Sequence, residues 1–344
     1  MDKAASAKIA VLGAGLIGTY VGGRLAAGGA DVTLIGRPRV LDDLRDNGLR
    51  LTDVTGVEAS VPADRLKLAS DPAALAGADL ILLTVKSIGT AAAAAEIERF
   101  ASPNAIIVSL QNGVSNADHL RRLLPDMTVV AGMVPYNVAQ PGPGHYHKGT
   151  MGDLHVEDVP AMRMHAPLFA AAGVPLTLST DMAGVLWGKL VVNLNNAANA
   201  LSGLPLMQQL AQRTHRRALA LSQHEALGLL RQAGIRPAKV FALPTWLLPY
   251  VMSLPDGLYR WIMARGGTRI DRHARSSMAE DLAQGRRTEI DYLNGEFVAL
   301  AQRLGRRAPV NARVVELVRA AEAGAPPLSA DAFYRALSAA RISA

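Results

Sequence analysis

Residues 8–37 read KIAVLGAGLIGTYVGGRLAAGGADVTLIGR. Ile9 to Leu12 is a short apolar run, Leu16 to Ala27 follows with helical periodicity, and Val32 to Ile35 is a second apolar run, so the stretch predicts strand, helix, strand. Gly13, Gly15 and Gly18 lie between the first strand and the helix with G-x-G-x-x-G spacing. Glycines in that context permit a tight turn, let backbone approach a pyrophosphate and allow close helix–strand packing, with the phosphates held at the helix N-terminus. The spacing alone also occurs as an ordinary glycine-rich turn. With a strand before it and a helix after it, it predicts dinucleotide contacts from Gly13, Ala14, Gly15, Leu16, Ile17 and Gly18.

The second strand of such a unit ends with the residue that reads the adenosine ribose, and here it ends in Gly36-Arg37. An acid at this place accepts from the 2′-hydroxyl of NAD, whereas an arginine pairs with the 2′-phosphate of NADP. Asp31 precedes the strand and so lies at its wrong end. Arg37, with Arg39 nearby, therefore predicts NADP (NADPH), against the plainer reading of two exposed loop arginines.

Outward from this unit the βαβ rhythm continues to about Val134, with strand candidates Leu80 to Val85, Ala105 to Leu110 and Thr128 to Val130. Their near-continuous apolarity predicts a parallel sheet covered on both faces. Residues 137–180 read as a further, less regular strand region with a turn at Pro141 to Gly144. After about Thr180 long helical periods take over, as in Leu186 to Leu201, Thr214 to Ala233 and Glu289 to Leu304. The expected fold class is an α/β Rossmann-type domain with a parallel sheet, residues 1–180, followed by an all-α substrate and catalytic domain, residues 181–344.

Composition agrees with two domains. The chain has 344 residues, 50% hydrophobic and 19% charged, which excludes a disordered tail protein, a collagen or a coiled coil. It contains no cysteine, so disulfides, thiolate metal sites and thiol nucleophiles are excluded. Net charge is +7, but the arginines are scattered, as at Arg303, Arg306, Arg307, Arg313 and Arg319, rather than gathered into the stripe of a nucleic-acid binder. No run of apolar residues is long enough to span a membrane. The nearest, Val240 to Met263, is broken by Pro244, Pro249 and Pro255 and charged by Asp256 and Arg260. A signal peptide is not expected either, because glycines interrupt the first apolar stretch. The expected location is cytoplasmic, with neither a nucleic-acid nor a membrane partner.

Four further places could carry chemistry. Lys86 and Asn112 follow the third and fourth strand candidates, at the strand ends where open α/β sheets bind ligands, although Asn112-Gly113 also suits a plain turn and Lys86 a solvated side chain. Lys189, Asn193 and Asn196 recur at i, i+4 and i+7 on one face of an otherwise apolar helix, so the lysine either snorkels to solvent or lines a polar pocket. Arg275-Ser276-Ser277-Met278 is followed by Thr288-Glu289-Ile290-Asp291, where Thr288 with Asp291 resembles a helix start and Glu289 a favourable charge in its first turn.

Taken in order, the glycine motif, Val85-Lys86, Gln111-Asn112-Gly113, Lys189-Leu190 with Asn193, and Ser276-Ser277-Met278 through Thr288-Glu289-Ile290-Asp291 resemble the ketopantoate reductase (2-dehydropantoate 2-reductase) family over nearly the whole chain. The resemblance implies an N-terminal Rossmann domain, a helical C-terminal domain and an active site in the cleft between them. It implies cofactor contacts from Gly13 to Gly18, Arg37, Lys86, Asn112 and Glu289, and substrate contacts from Asn112, Lys189, Asn193, Asn196 and Ser277. Lys189 takes the proton donor's place and Glu289 that of an acid near the nicotinamide and the reacting centre. The implied reaction is NADPH-dependent reduction of 2-dehydropantoate to pantoate, in pantothenate synthesis, with no metal and with homodimer formation as an open possibility.

Two departures touch the substrate side. The family often has Asn-Pro where Asn196-Ala197 stands, and the segment from Ile235 to Arg272 is longer than in compact members. The alternatives are therefore NADPH-dependent reduction of another 2-oxo acid and a non-catalytic NADPH-binding regulator. Within the longer segment, Trp246, Leu247, Leu248 and Tyr250 could form an apolar lid, pack inside the helical domain or meet a second subunit.

Overall fold

A computed structural model describes residues 7–239, 243–265 and 274–342; Val240 and Arg272, which bound the segments just named, lie outside them. The chain separates into two compact units, Met1–Met182 and Ala183–Ala344.

The first unit carries twelve described strands: β1 (Lys8–Leu12), β2 (Asp31–Ile35), β3 (Leu49–Asp53), β4 (Glu58–Val61), β5 (Lys67–Ala69), β6 (Leu80–Leu83), β7 (Ile106–Ser109), β8 (Thr128–Met133), β9 (Val138–Gly142), β10 (His145–Lys148), β11 (Leu154–Glu157) and β12 (Leu176–Ser179). Its helices are α1 (Leu16–Ala27), α2 (Pro38–Asn47), α3 (Thr90–Phe100), α4 (Asn116–Leu123) and α5 (Pro160–Ala171). The main sheet runs β12-β11-β8-β7-β6-β1-β2-β5. From β5 to β8 every pairing is parallel, and β11 joins β8 antiparallel. All four residues of β6 are buried, as a central strand covered on both faces requires. The sequence leaves β1 towards β2 on one side and returns as β6 on the other, so the crevice at the carboxyl end of β1 is the topological switch point.

A second sheet, β4-β3-β10-β9, was not foreseen. Its strands are only four or five residues long, so the alternation they carry, as in β4 where Glu58 and Ser60 are exposed and Val61 is buried, is too brief to stand out in the sequence. Helix α1 packs against strands of both sheets, which explains its nearly all-apolar sequence. Of the turn expected at Pro141 to Gly144, Pro143 and Gly144 join two antiparallel strands, β9 and β10, while Pro141 and Gly142 end β9, the first of them. The reading of 137–180 as strands throughout is corrected at α5. Pro160 opens that helix, and Pro167 inside it breaks the pattern by which it would have been recognised.

The second unit is helical: α6 (Met182–Ser202), α7 (Leu206–Ala211), α8 (Arg213–Gln232), α9 (Leu248–Ser253), α10 (Asp256–Arg265), α11 (Ser277–Ala283), α12 (Asn294–Arg303), α13 (Pro309–Glu322) and α14 (Ala330–Ile342). Helix α8 is its hub, packing against α7, α9, α12, α13 and α14. Arg216 of α8 is fully buried. Its guanidinium donates to the carbonyls of Leu210, Met252 and Leu254 and to Asp256 Oδ1 at 2.7–3.2 Å, and lies 4.1 Å from the Tyr259 ring centroid. The expected helix from Glu289 is a second correction: residues Ile290–Tyr292 form a 3-10 turn, and the α-helix begins only at Asn294. Among the described residues no helix is long and apolar enough to cross a membrane.

Candidate active site

In the first unit the glycine loop is built by the strands around it. The amides of Gly13 and Ala14 both donate to the carbonyl of Ile35, at 3.0 and 2.8 Å. Gly13 has φ +108°, and a Cβ there would fall 2.6 Å from the Val85 amide nitrogen. A Cβ on Gly18 would strike the Gly13 carbonyl and the Thr84 hydroxyl. Gly15 is different: a Cβ there would meet nothing of the protein closer than 3.9 Å. Packing therefore accounts for glycine at 13 and 18, whereas at 15 the open side of the loop is what a close-lying ligand would use.

Gly15 is the N-cap of α1, with no side-chain cap and no acid in the first turn. The first bond of the helix runs from Thr19 N to the Gly15 carbonyl, so the amides of Leu16, Ile17 and Gly18 stand ahead of the helical ladder. Gly15 and Leu16 are exposed. Such a terminus favours an anion.

Arg37 is brought beside this loop. Gly36 lies so close to Ala14 that a Cβ on it would come within 2.7 Å of the Ala14 Cβ, and Arg37 and Arg39 are both exposed at the start of α2. Asp31 begins β2 at the opposite end and pairs with Lys67 Nζ at 2.7 Å.

Lys86 and Asn112 belong to two loops tied together by buried polar side chains. Asn116 Nδ2 donates to the Asn112 carbonyl and, at 3.0 Å, to Ser87 Oγ; Ser87 Oγ donates to the Asn112 carbonyl at 3.0 Å. Gln111 Nε2 donates to the Val85 carbonyl at 3.1 Å and to Thr90 Oγ1 at 2.8 Å, while the Thr90 hydroxyl donates to the Ser87 carbonyl at 2.8 Å. Ser87, Thr90, Gln111 and Asn116 are all buried. Sequence reasoning missed these supports, and Thr84 with them, because single polar residues after an apolar strand carry no periodic signal.

In the second unit, Lys189, Asn193 and Asn196 lie on α6 and share a face at about 100° per residue. Lys189 is partly accessible, and burial pushes its ammonium pKa down from 10.5 to about 8. Asn193 is buried and Asn196 half-buried. Of the paired serines, Ser276 is the buried one: its hydroxyl donates to the Asn196 carbonyl at 3.0 Å and accepts from Ala279 N at 3.2 Å as the N-cap of α11. Its amide donates to Asn199 Oδ1 at 2.9 Å. Ser277 is exposed at the first position of α11.

Glu289 is half-buried and precedes the 3-10 turn as its N-cap. Its neighbour Thr288 is buried, and both the amide and the hydroxyl of Thr288 donate to Glu322 Oε1, each at 2.7 Å.

The chain matches the sequence model described as "Ketopantoate reductase PanE/ApbA" over residues 9–161 and the one described as "Ketopantoate reductase PanE/ApbA C terminal" over residues 181–322. It is 30% identical over 322 residues to a 2-dehydropantoate 2-reductase of Halobacterium salinarum, covering 92% of this chain and 99% of that protein. A crystal structure of a PanE/ApbA family ketopantoate reductase from Ralstonia eutropha JMP134 superposes with TM-score 0.77 at 34% identity, covering 92% of this chain and 98% of that one. A D-mandelate dehydrogenase solved with NADH and anilino(oxo)acetate shares the fold, with TM-score 0.74 at 21% identity over 92% of this chain and 98% of that one. The chain belongs to the ketopantoate reductase family, nicotinamide-dependent oxidoreductases that act on a CH–OH group.

Proposed function

We propose that this chain reduces 2-dehydropantoate to pantoate with NADPH, in pantothenate synthesis and in the cytoplasm. The observation that carries the reading is Lys189, an amine held at a pKa of about 8 on the same helix face as the carboxamides of Asn193 and Asn196. An ammonium with that acidity is suited to give up a proton near neutral pH.

The residues present fit a dinucleotide. The open side of Gly15 and the unladdered amides of Leu16, Ile17 and Gly18 suit a pyrophosphate. Exposed Arg37, at a strand end with no acid beside it, supports NADPH over NADH, by pairing with a 2′-phosphate. Bound there, the cofactor supplies the hydride for the keto carbon. Lys189 Nζ stabilises the negative charge that develops on the carbonyl oxygen and donates the proton that completes the hydroxyl. Asn112 and Asn193 orient the substrate, Asn196 and Ser277 contribute to its binding, and Glu289 holds the ammonium or the substrate hydroxyl in place. Lys86 binds the cofactor. Homodimer assembly belongs to the same reading, supported by Trp246, Tyr250 and Trp261, which are 61%, 58% and 54% exposed.

The test is steady-state NADPH oxidation with 2-dehydropantoate beside pyruvate, 2-oxoisovalerate and oxaloacetate. The reading requires the highest kcat/KM on 2-dehydropantoate and a fall in kcat of roughly 10²-fold or more in Lys189→Ala. Faster turnover of another 2-oxo acid would reassign the substrate. NADPH binding with no turnover of any of them would leave a regulator.

A further inference from the structure

We infer that Glu322 is a positioning residue for Glu289, acting through Thr288; this rests on the role given to Glu289 in the proposed reaction. Glu322 is the last residue of α13. A carboxylate there faces the negative end of the helix dipole, a place where it is disfavoured. What offsets this is its grip on Thr288, whose amide and hydroxyl both donate to the same Oε1 at 2.7 Å. The Thr288 hydroxyl in turn accepts from Ile290 N at 3.3 Å, so of the residues on either side of Glu289 one is tied to Glu322 directly and the other through that hydroxyl. One turn earlier on α13, Arg319 reaches Asp291 Oδ1 at 2.6 Å. The last turn of α13 therefore holds residue 288, with an exposed ion pair to residue 291 beside it, in a segment that is not α-helical and has no i→i−4 ladder of its own.

Helix α13 is itself fixed at its other end. Glu225 of α8 accepts from Val310 N at 2.9 Å, Asn311 N at 2.8 Å and Asn311 Nδ2 at 2.8 Å, and Ser222 Oγ donates to Asn311 Oδ1 at 2.7 Å. A carboxylate at that end is favoured by the helix dipole, so its stabilising role needs no further explanation. The two acids differ in this respect, and the difference singles out Glu322. Through α13 the backbone of Glu289 is referred to α8, the hub of the unit, rather than left to a short turn.

The test is a double-mutant cycle on the full chain, reading NADPH-dependent reduction of 2-dehydropantoate well below the unfolding temperature. Glu322→Ala is expected to lower kcat/KM roughly 10-fold while the Kd for NADPH stays within about 3-fold. Glu322→Gln keeps an acceptor for both Thr288 donors and is expected to recover most of the loss. In a Glu289→Gln background, Glu322→Ala should cost nothing more. Thr288→Val removes the hydroxyl and keeps the shape; it carries the same comparison if Glu322→Ala does not fold. Losses that multiply independently with Glu289→Gln, or a Glu322→Ala enzyme that melts earlier with unchanged kinetics, overturn the positioning role and leave that of Glu289 standing. Normal turnover in Glu289→Gln itself overturns the role of Glu289, and this inference with it.

Discussion

The Thr84 hydroxyl donates to the Gly13 carbonyl at 2.8 Å, so the residue that follows β6 locks the glycine loop that follows β1. The same carbonyl and the same hydroxyl are what a side chain at Gly18 would strike. Loop, helix start and neighbouring strand thus meet at one crowded point, with Gly15 on the open side.

That asymmetry separates the glycines by experiment. Gly13→Ala forces a side chain onto φ +108° and into the Val85 amide, and is expected to destabilise the fold by about 2 kcal/mol or more. Gly15→Ala has room and a φ of −92°, so its melting temperature should stay near wild type while NADPH affinity falls at least roughly tenfold. Thermal melts with a fluorescence titration of NADPH decide it. Gly15→Ala with full affinity would move the pyrophosphate elsewhere.

Arg37 is the handle on cofactor choice. A charge-assisted bond between its guanidinium and a 2′-phosphate contributes about 1.5–3 kcal/mol, so Arg37→Ala should weaken NADPH by roughly 10- to 100-fold and leave NADH nearly unchanged. Equal losses for both cofactors would show that Arg37 does not read the phosphate.

The two adjacent serines should behave oppositely. Ser276→Ala removes the N-cap of α11 and the bond to the Asn196 carbonyl, and is expected to lower stability by about 1–2 kcal/mol. Ser277→Ala should leave the melting temperature alone and raise KM for the 2-oxo acid, as loss of a carboxylate contact would. A silent Ser277→Ala removes that serine from the substrate site.

How far these places were legible follows from what each residue reports. The β1 loop and α1 could be read because apolar runs and glycine spacing express the same packing twice, once as strand burial and once as close approach. Ser276 and Ser277 are both hydroxyls with no local pattern between them, so only the family resemblance singles out Ser277, and the partners of Ser276 at Asn196, Asn199 and Ala279 show in the structure alone. Glu289 was placed in a helical first turn because Thr288 resembles a cap. The N-cap of the turn is Glu289 itself; Thr288 stands before it, accepts from Ile290 N, and is held by a residue far along the chain, Glu322, of which the local pattern carries no trace. The second sheet was missed for a related reason: its strands are four or five residues long, so their alternation is brief, and pairing with strands distant in the chain, as of β10 with β3, completes them.

Lys189 ties activity to stability with opposite signs. Its folded pKa is about 8 and its ordinary value is 10.5. Below pH 8 both the folded and unfolded chains carry the proton, and the folded state bears the whole desolvation cost. Between pH 8 and 10.5 the unfolded chain binds more protons than the folded one, so this residue's contribution to stability rises with pH until the cost is gone. Lys189→Met, which removes the charge and keeps most of the length, should therefore be more stable than wild type by about 1–3 kcal/mol at pH 7, and the gain should shrink at pH 9.5. Comparing the two proteins at each pH cancels the titration of every other group. Activity runs the other way. A proton donor must be protonated, so kcat/KM for reduction should be level below about pH 8 and fall about tenfold per unit above it. Binding the anionic 2-oxo acid beside the ammonium favours its charged form, so the corresponding break in kcat should lie at higher pH than the break in kcat/KM. A Lys189→Met protein no more stable than wild type at pH 7, with a wild-type kcat/KM that is flat from pH 7 to 10, would show that this amine is neither desolvated nor the acid of the reaction.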